Sequence, residues 1–402
     1  LKEWPSTYKG LVKLYTRVGD LDSAERVADR GISFCNALQN RRGWGNWPVI
    51  HAADMKAYVA EAQARFAEAE TYYRQILQNY TPSMRKQYGL AYALAKIYLA
   101  RNLKNQDRLV EAEMECRDYL KALGGLSRNS DSFGHGISEL GEIFLRQGRL
   151  QDAAKLMRTS VGRLEETQAA ADSYLMADAR MRLGDVLVAE QKFDEAMQQF
   201  DHAKIDMQQN RYVYENFFAR NPALMLSLVR TGRIEEATQQ ISEVYAKNLE
   251  LLGENHYLTA EALGLRAMAH ARQDNDREAL KDFAQAVPVL LVQGGGGSLA
   301  YDRQMRLRII LESYLDLLMR VSRSELEKEL NIDAASEAFK LADALSRSAV
   351  RGAIGASTAR AAVTSDALAG LVRQDQDAQK YLKLLESALS ENLAAPPEQH
   401  LT

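Results

Sequence analysis

The chain has 402 residues, 46% of them hydrophobic and 26% charged, and a formal net charge of −3. That profile fits a folded, water-exposed protein and gives no global field that would favour nucleic acid or an anionic membrane. No run of apolar residues is long enough to cross a bilayer, and two cysteines, Cys35 and Cys116, are too few for a disulfide framework.

Only seven prolines occur, β-branched alternation is scarce, and helix formers dominate, so the fold class expected is all-α. The chain opens at Leu1 without an initiator Met or a signal-peptide pattern, which suggests a fragment or a processed form. The cytoplasm is the default compartment, and export with a cleaved signal is the other reading.

A helix-turn-helix unit is most legible over residues 137–157. Leu140-Gly141 and Phe144 lie on a first helix, Gly148-Arg149-Leu150 forms a bend, and Ala153 and Met157 lie on a second. Gly148 suits a left-handed residue that ends the first helix. Aligning the chain on the Ala after each bend gives Ala24, Ala69, Ala112, Ala153, Ala196, Ala237, Ala279 and Ala338. Successive intervals are 45, 43, 41, 43, 41, 42 and 59 residues, so six of seven cluster tightly enough to mark an internal repeat. The apolar positions four and seven after the Ala, such as Tyr73 and Ile76 or Phe200 and Ala203, fit a buried helix face. Cys116 falls on such a second-helix position and reads as a small buried hydrophobe.

Between the first two repeats, Arg41-Arg42-Gly43-Trp44-Gly45-Asn46-Trp47-Pro48 places two of the three tryptophans in a Gly-rich loop. The loop reads as folded back onto the end of the array, with an aromatic docking patch as the sharper alternative. Gly294-Gly295-Gly296-Gly297-Ser298 has flexible-linker composition and is similar to a laboratory replacement for a loop. The expected organisation is seven hairpins of about 42 residues over 1–293, a linker over 294–298, a last modified repeat over 299–358 and a helical connector over 359–402.

The repeat resembles the tetratricopeptide (TPR) family over roughly residues 5 to 350, although that family's unit is about 34 residues. Residues 248–260, with Leu252-Gly253-Glu254-Asn255-His256, look like the junction of the longer, kinesin-light-chain-like subclass. The resemblance implies a right-handed superhelix, an α-solenoid, whose first helices line a concave groove. In the tail, Ser346-Arg347-Ser348-Ala349-Val350-Arg351-Gly352, Ala359-Arg360-Ala361-Ala362 and the run 366–377 resemble the connector of bacterial proteins that join a TPR array to a C-terminal CHAT domain. CHAT domains are similar to caspases and are expected to be cysteine peptidases. This resemblance implies a chain continuing past Thr402 into a peptidase domain.

Within the chain itself no catalytic constellation is legible. His135-Gly136 superficially matches a caspase-like His-Gly pair, but no cysteine follows it. The six histidines never form close i, i+4 pairs of the kind helical metal sites use, and no phosphate loop, nucleophile elbow or dinucleotide fingerprint occurs. His256 reads as a loop-packing residue. Neither enzyme activity, nor a metal, nor a cofactor is expected of this chain.

The groove register set by the bends gives Tyr92 and Lys96 in the third repeat, provided its turn carries a five-residue insertion. It gives His135, Ser138, Glu142 and Arg146 in the fourth, Asp178, Met181 and Asp185 in the fifth, Leu226 and Arg230 in the sixth, and Glu261, Met268 and Arg272 in the seventh. Arg146, Arg230 and Arg272 recur one helical turn before the bend. They read either as helix-end charge or as an arginine ladder gripping a bound segment. The reading is a protein-interaction scaffold that takes a protein or peptide in its groove, as the sensor and regulatory region of a CHAT-type peptidase. Its own peptidase domain is a further candidate partner, and a free-standing adaptor without an enzyme is the alternative.

Overall fold

In the computed structural model, which describes residues 4–39, 41, 43–124, 131–166, 174–207, 214–295 and 300–346, every regular element is a helix. The chain divides into two compact units, Leu1–Ile143 and Phe144–Thr402. The first holds α1 (Pro5–Val18), α2 (Leu21–Leu38), α3 (Trp47–Ala62), α4 (Phe66–Asn79), α5 (Pro82–Gln87), α6 (Gly89–Asn105), α7 (Leu109–Gly124) and most of α8 (Asp131–Arg146). The second holds α9 (Leu150–Glu166), α10 (Tyr174–Ala189), α11 (Phe193–Met207), a π-helical turn (Tyr214–Phe218), α12 (Pro222–Arg230) and α13 (Ile234–Leu252). It continues with α14 (Tyr257–Arg272), α15 (Asp276–Gly295), α16 (Tyr301–Val321), α17 (Glu325–Glu329) and α18 (334–346). The all-α hairpin repeat expected from the sequence is the architecture observed.

One backbone device builds every hairpin bend from the first to the seventh. The residue five before each aligned Ala is left-handed: Gly19, Ala64, Asp107, Gly148, Gln191, Gly232 and Asp274, with φ between 56° and 81°. The N–H of the next residue bonds back to the carbonyl five positions earlier, as in Arg65→Ala60 (2.8 Å), Arg149→Phe144 (2.9 Å) and Arg233→Leu228 (3.0 Å). This bond satisfies a carbonyl the ended helix would orphan. The same residue's carbonyl then accepts from the aligned Ala, as in Ala69→Arg65 (3.0 Å) and Ala153→Arg149 (2.9 Å), and so opens the second helix. All seven alanines, from Ala24 to Ala279, are fully buried. Close approach is also visible at Gly184, where an added Cβ would lie 2.6 Å from the buried Phe200 ring.

Three expectations need correction. Ala338 is not an eighth member of the series, because it is only half-buried and the buried alanine of that segment is Ala334. The inserted helix α17 and a left-handed Asn331 (φ 50°) reset the register there. The third turn carries no five-residue insertion: α6 runs to Asn105 and its left-handed residue is Asp107. The linker expected at 294–298 begins as helix, since α15 extends to Gly295, whereas 296–299 lie outside the described residues. The tail segments 347–352, 359–362 and 366–377, and the connector over 359–402, lie outside them as well.

The bends make opposite predictions for two substitutions. Gln191→Gly relieves a left-handed side chain and should raise stability by up to about 1 kcal/mol. Gly148→Ala keeps φ at 75° and brings its Cβ to 2.9 Å from the Tyr301 ring, so it should destabilise by about 1–3 kcal/mol. Urea denaturation midpoints check both, and the same sign for the two would contradict the turn analysis.

Candidate binding face

The expected groove residues do not share one environment, and the repeat register explains why. Six residues before the left-handed positions of the third to seventh bends stand Arg101, Glu142, Asp185, Leu226 and Met268. Glu142 pairs with Lys104 at 2.7 Å, and Asp185 accepts from Asn221 Nδ2 at 2.7 Å. Leu226 and Met268 are buried, Met268 at 3% exposure. This position therefore packs one hairpin against its neighbour. Met268 is a core residue, which corrects its assignment to the groove, and Ser138 is buried likewise.

Lys96 and Tyr92 are out of register for the same reason. Lys96 Nζ turns to its own hairpin's second helix and pairs with Glu115 (2.9 Å) and Asp118 (3.0 Å). Tyr92 packs edge-on against Tyr80, with ring centroids 5.5 Å apart, and lies under the Arg85 guanidinium at 4.8 Å. The residue that stands in the register position is Arg101, whose guanidinium meets His135 Nε2 at 2.7 Å.

Arg101 and His135 belong to a buried polar cluster on α6 and α8. Lys104, 4% exposed, pairs with the fully buried Glu139, and Arg101 Nε lies 3.6 Å from Glu139. Beside it, the Tyr73 hydroxyl donates to Glu61 Oε2 at 2.7 Å. Burial raises the Glu61 carboxyl above its usual range, although the Tyr73 hydrogen bond and the Arg101 charge oppose the shift.

The second unit has an equivalent. Arg306 on α16, 6% exposed, pairs with Glu261 (2.8 Å) and Asp302 (3.0 Å). Glu261, expected in the groove, is thus covered by the chain's own later helix. Burial pushes the Asp302 carboxyl up, but Arg306 and Arg146 outweigh it and hold it below the usual range. Arg146 is half-buried, Arg230 is exposed with its guanidinium 5.1 Å from the Phe193 ring, and Arg272 is exposed. The three arginines of the proposed ladder therefore have different surroundings.

The arginines that join hairpins sit instead just after the bend. Arg108 pairs with Glu111 in its own helix (2.7 Å) and with Glu70 of the preceding hairpin (2.6 Å). Arg233 does the same with Glu236 and with Asp201 (2.8 Å). The sequence shows this basic residue repeating, but only the fold shows which carboxylate it crosses to. His256 caps α14, its Nδ1 accepting from Leu258 N at 3.2 Å, in keeping with a loop-packing role. Cys35 and Cys116 are buried, and burial pushes the Cys35 thiol up to about 11.

Sequence reasoning missed one feature of the first unit. The two tryptophans of the Gly-rich loop separate: Trp44 packs on Trp4 (5.6 Å between centroids), and Trp47 opens α3. Trp47 stacks on His51 (5.7 Å) and meets Tyr88 edge-on (4.8 Å). Trp47 and His51, together with Tyr80 and Tyr98, make an aromatic wall. It encloses a cavity of about 190 Å³ lined by α1, α3, α4 and α6. The available signal was the clustering of aromatics at 80, 88, 92 and 98. Among the described residues, no helix is long and apolar enough to cross a membrane.

A tetratricopeptide repeat family model matches residues 139–210, which span α8 to α11. None of the curated proteins matches the chain by sequence. Among solved structures, a Rap protein complexed with competence and sporulation factor is 11% identical, with a TM-score of 0.52 over 87% of this chain and 99% of that one. The apo form of RapI is 12% identical, with a TM-score of 0.50 over 73% of this chain and 99% of that one. TPR-like repeats of a kinesin light chain from Podospora anserina are 15% identical, with a TM-score of 0.40 over 51% and 98%. The Rap similarities place the fold among TPR-type helical repeats.

Two predictions follow from the buried polar clusters. Lys104→Ala leaves Glu139 buried without its ammonium partner and should cost about 3–5 kcal/mol; Glu142→Ala removes a more exposed partner and should cost far less. Equal losses in denaturant melts would contradict this ranking. For Glu61, the folded state holds a proton more tightly than the unfolded chain, so its contribution to stability falls as pH climbs from the ordinary carboxylate pKa through the raised one. Glu61→Gln should flatten stability over that window, read by urea midpoints from pH 4 upward; an unchanged slope would contradict it.

Proposed function

We propose that this chain is a protein-interaction scaffold that holds a peptide or protein segment against the first-helix face of its hairpins. The observation that carries this reading is the cleft in the first unit lined by Trp47, His51, Tyr98 and Lys13, with the Lys13 ammonium over the Tyr58 and Tyr98 rings. Aromatic side chains in a partly open cleft are the usual anchors of protein recognition. The similar Rap structure contains competence and sporulation factor, and a bound partner is carried over here as part of the proposal. In the second unit, taken by itself, Arg230 and Arg272 are exposed cations at the ends of first helices and would serve partner binding there.

The finer reading makes the scaffold the sensor and regulatory region of a CHAT-type cysteine peptidase, with the peptidase domain itself as a further partner. It rests on the tail segments 346–352, 359–362 and 366–377. Reading the gene past the codon for Thr402 tests it. Continuation into an α/β segment with His-Gly and a later lone Cys would support it, and a stop codon close by would leave the free-standing adaptor.

The scaffold reading is tested by crosslinking the protein to its partners in extracts of its source cells. The Arg230→Glu, Arg272→Glu double variant should lose specific crosslinked partners. Lys281→Glu, on an exposed second-helix position (side chain 74% exposed), should keep them. Loss in the control with retention in the double variant would overturn the proposal.

A further inference from the structure

The outer face of α1 is apolar and uncharged. Among the described residues, those it exposes are Ser6, Thr7, Gly10, Leu11 and Leu14, with Trp4 at the N-cap. Leu11 is 40% exposed and Leu14 55%. A helix face that meets water normally carries charge, and apolar residues grouped on one exposed face mark an interaction surface.

The repeat register shows what such a face is built to touch. Thr7, Leu11 and Leu14 stand twelve, eight and five positions before the left-handed Gly19, as Gly136, Leu140 and Ile143 do before Gly148. A Cβ on Gly136 would lie 2.5 Å from the Tyr119 ring and 2.7 Å from Leu120, both on α7 of the preceding hairpin. Residues spaced i, i+4 and i+7 share a helix face, so these three positions pack one hairpin on the hairpin before it. The last of them is buried in every hairpin from the second to the seventh, from Val59 at 6% exposure to Ala269 at 0%. In α1 alone of these first helices it is open to solvent.

We propose that this stacking face joins two copies of the chain, α1 of one lying antiparallel on α1 of the other around a two-fold axis. A two-fold contact sets a surface against itself, so a charge near the axis meets its like. The exposed residues described on this face bring none. Their sizes match as well. With the axis midway between residues 10 and 11, Thr7 of one copy stands opposite Leu14 of the other, and Gly10 opposite Leu11. Small then faces large in both layers, as close packing requires. A charged partner would find no counter-charge here. One 14-residue helix from each copy buries less than the ~1,200–2,000 Å² of stable complexes, so the dimer is a weak one. It does not depend on the scaffold reading.

Sedimentation equilibrium of the whole chain tests the pairing. The weight-average mass should climb toward twice the monomer's between about 5 and about 200 µM. Leu14→Glu places a charge in the contact from each copy and should weaken association at least about tenfold. Because that side chain is exposed, the circular dichroism spectrum should stay unchanged. Phe339→Glu, at a 77% exposed position on α18, should leave association as it was. Leu11→Cys should give a disulfide-linked dimer on mild oxidation, whereas the parent chain, whose Cys35 and Cys116 are both buried, should not. A monomer at about 200 µM, or association that Leu14→Glu does not weaken, would overturn the proposal and leave another protein or hairpin as the occupant. Loss of association in Phe339→Glu, or failure of Leu11→Cys to crosslink while the chain associates, would overturn the two-fold pairing in favour of stacking between unlike faces.

Discussion

The hydrogen bond from the residue after each bend to the carbonyl five positions earlier ends one helix and, through the same residue's own carbonyl, starts the next. It requires a left-handed residue at a fixed place, and three of the seven hairpins meet that requirement with glycine. The other four, with Ala64, Asp107, Gln191 and Asp274, accept a local strain of roughly 1–2 kcal/mol each. The fully buried Ala five residues later shows what offsets it: a bend of invariant geometry lets two amphipathic helices bury their faces together.

Stacking adds a second layer, and polar residues carry much of it. Arg108 and Arg233 each bridge a carboxylate in their own helix and another in the preceding hairpin. The Lys104–Glu139 and Arg306–Glu261 pairs are buried almost completely. Ion pairs at such depth contribute little net stability, but breaking one is strongly destabilising. They therefore fix which surfaces of adjacent helices meet. This explains why residues with groove spacing, such as Glu142 and Asp185, are committed to neighbouring hairpins.

The repeat, its period and its bends were legible in the sequence because they depend on local chemistry: a small residue, a basic residue and an apolar plug at fixed spacing. The eighth repeat was misread because Ala338 has the right residue type, while the register there is reset by the short helix α17. The groove was only partly legible. Spacing alone could not show that Met268 is core or that α16 covers Glu261, since both follow from packing between elements far apart in the chain. The cavity beside Lys13 went unread for the same reason: its lining comes from four helices, and no single one carries its pattern.

The central claim is that the first-helix face is where a partner binds. Its most direct measurement is hydrogen exchange with mass spectrometry on the protein alone and with a crosslink-identified partner bound. The account predicts added protection in α1, α3, α6, α12 and α14, with α2, α7 and α13 little changed. Protection confined to those second helices would contradict it.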